Sequence, residues 1–544
     1  MYPYFLNINP YPSSPTPALV DSQILGGNTH KQARTAILSC IEELYSKLGS
    51  KPTDKDFRLI TMIQDVGSGK THLAMHIRGL PDLSTNTVTS YVDLSRVSPR
   101  DIYNTYESML SGFSNEDVIV MREAIISMLS FKAEKNVGPA RKIFKYGLSD
   151  RIAGKSFSDK ARLVLQGKVT LNYDYIDEVL RDEFSEIQID LIKGIIGDKF
   201  RRDSANVRTL EGVINSLSAI ANLNIRLLNK LTIFQFDEFD SNKESLEFIK
   251  ALINAHIPSS LLMLIMTPAS YNEIKKENAA VFDRMEKANY KIDLAGSNTL
   301  TELLDIIFEY IRHYDKINNF TLQHESELAS RIRVIYDEFP EFRNVRSILN
   351  ILYHATENAA RTNSFTIDEQ SIDDTIKRNY PGLKIRGSLM DVPLSEFIRI
   401  RKNSMSSDEL ESNVRDAIKN LLAYTTQTGS ITGINIDNII GNSIDIVYND
   451  NYGTKIAVAV VVNKDHSKAQ AQISSATKSL SLVDKLVVLT NTGTPVGENG
   501  TTVVNMDKGK IIDLIYFNDK FKNEELLNDD LEKAVILAKS MKLC

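Results

Sequence analysis

The stretch Leu59–Met75, LITMIQDVGSGKTHLAM, constrains this 544-residue chain more than any other. Leu59 to Ile63 is an apolar run that reads as a buried strand, and Thr71 to Ile77 begins a helix. Between them Gly67, Ser68, Gly69, Lys70 and Thr71 fit the end of the pattern Gly, four residues, Gly-Lys-Ser/Thr. In that pattern successive backbone N–H groups face an anion, helped by the positive end of the helix. The glycines let the backbone approach closely, the lysine reaches the outer phosphates of ATP, and the threonine ligates Mg²⁺. One expected residue is missing: the first glycine of the pattern falls at Gln64. It lies where the loop begins, and there a larger residue strains the turn less than it would beside the phosphates. A working loop is expected. The plain alternative is a glycine-rich strand-to-helix turn with a chance lysine.

A phosphate loop needs acids on a neighbouring strand. Leu231–Asp240, LTIFQFDEFD, supplies an apolar strand ending in Asp237, placed to hold the Mg²⁺ shell, and Glu238, placed to orient the attacking water. LLMLIMTPAS follows after a helix and ends in the polar Thr267, and AVFDRMEKANYKIDL carries Arg284 shortly before another strand. Thr301–Tyr314 and Leu322–Phe339 show helical spacing. Then come PEFRNVRSILNILYHATENAARTN and TIDEQSIDDTIKRNYPG.

This order resembles the AAA+ ATPases, and its last segments resemble the origin-recognition (ORC-type) initiator branch. The likeness runs over residues 20–385. ILGGNTHKQARTAILSCIEELYSKL matches that family's opening helix, with Ile24 to Gly27 near the adenine. The resemblance implies an α/β base under an α-helical lid. Thr267 and Arg346 would sense the γ-phosphate, with Arg343 as a substitute for Arg346. Arg284 would complete a neighbouring subunit's site, which implies a homo-oligomer. There is one departure: a helical insert, about 97–228, stands where the family places a short helical unit.

The insert bears on partners. Between Lys132 and Arg162 it carries nine Lys/Arg against three acids, with Phe131, Phe144, Tyr146 and Phe157 interleaved. Cations can neutralise phosphates and aromatics can stack on unpaired bases, so DNA is an expected partner, although such a run can equally be a solvated helical face over a core. Any such binding must be local, because the net charge is −6. The longest apolar runs are too short to span a bilayer, so no membrane is expected. Two cysteines, Cys40 and Cys544, make neither a disulfide framework nor a metal site, which suggests a reducing cytoplasm.

After Asn403–Ser407, a polar run that reads as a hinge, the pattern becomes strand-rich. A helix, three strands, a helix and a strand resemble the restriction-endonuclease-like (PD-(D/E)xK) fold. Asp445 fits its first metal-binding acid, Lys464 its lysine, Glu411 an acid of the first helix and Gln472 a helix glutamine. Val462 stands where the second metal-binding acid belongs, and valine cannot ligate Mg²⁺. The domain therefore reads as an inactive nuclease fold kept for DNA binding or assembly.

The expected organisation is an N-terminal arm (1–19), an AAA+ base with its insert (20–298), a lid (299–385), a linker (386–407) and the nuclease-like domain (408–544). The expected function is ATP hydrolysis that controls oligomerisation and grip on DNA, in replication initiation, mobile-element maintenance or defence. An ATP-gated DNA nuclease and a nucleotide-locked scaffold that scarcely hydrolyses are the competing readings.

Overall fold

The computed structural model describes residues 1–13, 23–48, 57–135, 138–200, 209–296, 298–380, 383, 388–403, 409–427, 432–435, 444–463, 465–492 and 500–544. They form two compact units, one of Pro10–Lys316 with Arg343–Asn350, the other of Met1–Asn9, Ile317–Phe342 and Ile351–Cys544.

In the first unit, α1 (Asn28–Tyr45), β1 (Phe57–Ile63), α2 (Lys70–Arg78) and β2 (Thr87–Asp93) follow one another. The insert carries α3 (Ile102–Gly112), α4 (Asn115–Glu134), α5 (Phe157–Leu165), α6 (Glu186–Ile196) and α7 (Leu210–Leu223), among shorter turns. Then come β3 (Leu231–Asp237), α8 (Lys243–Ala255), β4 (Ser260–Met266), α9 (Pro268–Glu277), α10 (Ala279–Glu286), β5 (Tyr290–Asp293) and α11 (Leu300–Tyr314). The strands pair in the order β2-β3-β4-β1-β5, all parallel.

A parallel sheet covered on both faces must be apolar throughout, and β3 and β4 are buried at every position. Because side chains alternate along a strand, each face has its own core. Ile60 and Met62 meet Ile37 and Leu44 of α1 and Leu73 and Ile77 of α2. Leu59, Ile63, Phe234 and Phe236 face the other way and share a cluster with Ile125, Leu129 and Leu217 of the insert. The insert is thus one wall of the sheet's own core.

This fixes where the insert's aromatics go. Phe144 and Phe157 are buried in that cluster, whereas Phe131 stays exposed with the Lys135 ammonium over its ring. Tyr146 lies against Phe157, ring centroids 4.4 Å apart. Several of the insert's cations pair internally, Lys132 with Glu183 and Lys160 with Asp150. Stacking on nucleic-acid bases is therefore closed to Phe144 and Phe157.

Since all five strands run the same way, β1, β3 and β4 end at one edge, the place where open α/β sheets bind ligands. The phosphate loop, the Asp237–Glu238 pair and Thr267 all follow those ends.

The second unit holds α12 (Leu322–Glu338), α13 (Val345–Arg361) from Ile351 onward, α14 (Glu369–Asn379), α15 (Leu394–Asn403) and α16 (Leu410–Gln427). Its sheet has the order β10-β9-β8-β7-β6. β6 (Thr432–Asn435), β7 (Ile446–Asn449) and β8 (Lys455–Val461) form an antiparallel meander. Through α17 (His466–Thr477) the chain crosses to β9 (Lys485–Thr490) and β10 (Thr501–Asn505), both parallel in line with β8. α18 (Lys508–Lys522) and α19 (Asn528–Ser540) close the unit.

Residues 386–407, expected to be a linker, include α15 within this unit. Asp373 of α14 accepts hydrogen bonds from Leu394 N and Ser395 N at its start, and Arg399 pairs with Asp519 of α18. Beyond Asn403 the expected hinge lies outside the described residues. Among the described residues no helix is long and apolar enough to cross a membrane.

Candidate functional site

The phosphate loop turns because two of its residues lack a Cβ. Gly67 and Gly69 take φ of 76° and 107°, in the region L-residues avoid. A Cβ on Gly67 would also come within 2.9 Å of Asn344 Oδ1. The loop's carbonyls are tied back: Arg346 N donates to Gly67 O at 3.0 Å, and the Gln64 side-chain amide donates to Ser68 O at 3.0 Å. Gly69 then caps α2, and the buried Lys70 begins it.

The acids meet the loop as expected from the sequence. Thr71 Oγ1 donates to Asp237 Oδ2 at 2.6 Å, and Lys70 Nζ lies 3.3 Å from Glu238 Oε1. Asp237 is almost fully buried, and burial raises its pKa against the hydrogen bonds from Thr71, Glu238 N and Tyr91. The Tyr91 hydroxyl, 2.9 Å from Asp237 Oδ2, was not marked by any motif. It arrives because β2 pairs with β3 in register, Asp93 beside Asp237. Glu238 itself sits at φ 52°, a left-handed backbone that costs energy for a residue with a Cβ and that gathers at functional sites.

Beside the loop opens a cleft that is continuous with solvent. Gly67, Ser68, Gly69, Lys70, Thr71 and Arg346 wall its polar end. Ile24, Leu25, Gly26, Ile306, Tyr310 and Leu349 add apolar surface to its lining. Pro12 of the N-terminal arm, His30 and Asn350 also line it and were not singled out by the sequence. Asn344, two residues before Arg346, caps the helix that carries it, accepting from Ser347 N at 2.9 Å.

Four expected residues do not wall the cleft: Asp237 and Glu238, which meet its loop only through Thr71 and Lys70, and Thr267 and Arg284. Thr267 stands at the end of β4, and its hydroxyl caps α9 by accepting from Ser270 N. Arg284 lies on α10, half-buried, with Nη1 3.5 Å from the Lys250 carbonyl. Arg343 does not wall it either.

In the second unit, Glu411, Asp445 and Gln472 come together around a residue the sequence did not suggest. Arg415 donates to Glu411 Oε1 at 2.9 Å and ion-pairs with Asp445 Oδ1 at 2.5 Å. Asp445 Oδ2 also accepts from Val460 N, and Gln472 hydrogen-bonds Glu411. Burial raises the pKa of both carboxyls, and the Arg415 charge opposes that rise. Val462 is buried. Lys464 lies outside the described residues.

Sheet and cleft define a phosphate-loop α/β architecture. No protein-family model matches the chain, and no curated protein matches it. Among solved structures it is similar to the ORC2 protein of Aeropyrum pernix in its ADPNP–ADP complexes, at 11% identity over 96% of each chain with a TM-score of 0.36. The ADP form of that protein gives 10% identity over 93% of this chain and 92% of that one, with a TM-score of 0.35.

Proposed function

We propose that the chain is an AAA+ ATPase of the ORC-like kind, whose nucleotide state controls its oligomerisation and its hold on DNA. One observation carries the reading: Lys70 and Thr71, at the end of the loop, directly engage Glu238 and Asp237. Loop and acids lie far apart in sequence, and phosphoryl transfer needs them together.

Lys70 and Arg346 are the cations that reach the cleft's polar end, and the loop's N–H groups supply the remaining positive field. Thr71 Oγ1 and Asp237 Oδ2 are hard oxygen donors at one point, which fits Mg²⁺. No three His, Cys, Asp or Glu residues cluster as a metal site among the described residues, so phosphate oxygens and water would complete the shell. Bound there, the metal would offset the charge that builds on the phosphates. With triphosphate present Lys70 turns to it, and Glu238 is freed to orient the attacking water. Thr267 would act at the same edge once its cap bond loosens, and Arg284 would act on a neighbour's phosphate, as a permanent cation can.

The ATPase rate with and without duplex DNA, measured alongside oligomeric state, tests this. Lys70→Ala should weaken triphosphate binding by roughly 100-fold, the scale of charged hydrogen bonds lost. Glu238→Gln should bind but not turn over. Hydrolysis at the parental rate in Glu238→Gln would remove its assignment.

For DNA, the support is the cation excess between Lys132 and Arg162 and the helix–meander–helix–strand order of the second unit, which fits a nuclease-like fold. Arg415 supports a silent one, since its guanidinium pairs with Asp445, the acid a metal would need, and with Glu411 beside it. Mg²⁺-dependent nicking that vanishes in Asp445→Ala would overturn this.

A further inference from the structure

Gln64 occupies the position of the missing glycine, and it is fully buried beneath the loop. Its backbone N–H continues the sheet, donating to Met266 O at 3.1 Å. The side-chain amide nitrogen lies 2.7 Å from His30 Nε2 and 3.0 Å from Ser68 O. His30, on α1, is 4% exposed and its Nε2 lies 3.0 Å from the same carbonyl. An amide has two N–H donors, and one arrangement uses both: one to Ser68 O, the other to an unprotonated His30 Nε2. Burial lowers the pKa of His30, which favours the neutral ring against the opposing pull of the Ser68 carbonyl; with the ring proton on Nδ1, Nε2 is left to accept.

We propose that Gln64 and His30 are positioning residues for the phosphate loop, a polar staple that holds the Ser68 carbonyl so that the Gly69 N–H faces the triphosphate. In a trans peptide C=O and N–H point in opposite directions, so fixing the Ser68 oxygen fixes the Gly69 hydrogen. Gly69 needs this hold, because at φ 107° with no Cβ its peptide has little else to restrain it. His30 in turn holds the amide, and a Cβ on Gly69 would lie 3.4 Å from His30 Nε2, so ring and loop are in packing contact. The glycine of the usual pattern permits the turn. Gln64 enforces one form of it.

The inference rests on the nucleotide reading, and binding to the full-length chain separates the two. The probes are a fluorescent ATP analogue with Mg²⁺, and adenosine as its competitor. Gln64→Gly restores the glycine of the pattern, yet it should weaken the ATP analogue about tenfold while changing adenosine less than twofold, since the loop touches only phosphates. His30→Ala should do much the same, and the double variant should be little worse than either single, the mark of two residues acting as one unit. Gln64→Met fills the same space without donating, so it should also lose about tenfold even if Gln64→Gly folds poorly. Parental affinity in Gln64→Met, additive losses in the double variant, or an equal loss for adenosine would each overturn the staple. A parent chain that binds no ATP analogue would remove the nucleotide reading itself.

Discussion

At the scale of single residues, Asp237 shows how a buried carboxyl is kept at a cost. Its carboxylate is buried, and three hydrogen bonds only partly offset the loss of water. A carboxyl whose folded-state pKa is raised binds protons more tightly when folded. Its contribution therefore lowers stability as pH rises from its ordinary value of 3.8 through the raised one, above which the deficit is full. Asp237→Asn should remove that deficit. The nucleotide-free variant should be as stable as the parent at pH 7 or stabler, by on the order of 1 kcal/mol, while hydrolysis is lost. Denaturant unfolding at pH 5 and pH 7 checks it, and a variant less stable at both would refute it. Lys70, Thr71, Asp237 and Glu238 were legible in the sequence because their signals are local. Tyr91 was not, because its bond to Asp237 depends on which strands pair. Nor was the bond that gives Gln64 a purpose, since His30 approaches from another element.

At the scale of elements, helices and strands were legible where apolar spacing was strong. Two apolar stretches of the insert, VIVMREAIISML and EIQIDLIKGII, are helical, in α4 and α6. Periodicity shows that a helix has a face, but it does not say what the face meets. So the aromatics of the basic run could be read either way, and packing against the sheet decided for Phe144 and Phe157. Arg415 was hidden for a related reason. It lies one turn beyond Glu411 on α16, but Asp445 reaches it only through the strand order of the second sheet. The element that carries Arg284, α10, offers a test between chains. Arg284→Ala should reduce turnover by roughly 100-fold or more with ATP affinity nearly unchanged, as the proposed role on the transition state requires. Mixing it with Glu238→Gln should restore part of the activity at concentrations where oligomers form. No recovery would count against a shared site.

At the scale of the whole molecule, the chain's two compact units do not follow simple sequence order. Ile317–Phe342 and the rest of α13 belong with the C-terminal sheet. Composition marked where helices give way to strands, but which helices share a core is a matter of long-range packing that composition does not carry. Within the second unit Asp513 accepts from Ser388, Leu389 and Met390, and Lys508 pairs with Glu338. Removing residues 405–544 should therefore unfold α15 and loosen α12 and α14 as well. Circular dichroism would show more helix lost than the deleted residues account for, and a loss equal to those residues would disprove it. In the first unit the insert and the sheet share one continuous packed core, with Phe234 and Phe236 of β3 just before Asp237 and Glu238. A close-packed interior passes displacement on rather than absorbing it. On the proposed function, a ligand that shifts the insert would shift the acid pair, and the trade would be reciprocal: the factor by which DNA altered ATP affinity would have to equal the factor by which ATP altered DNA affinity.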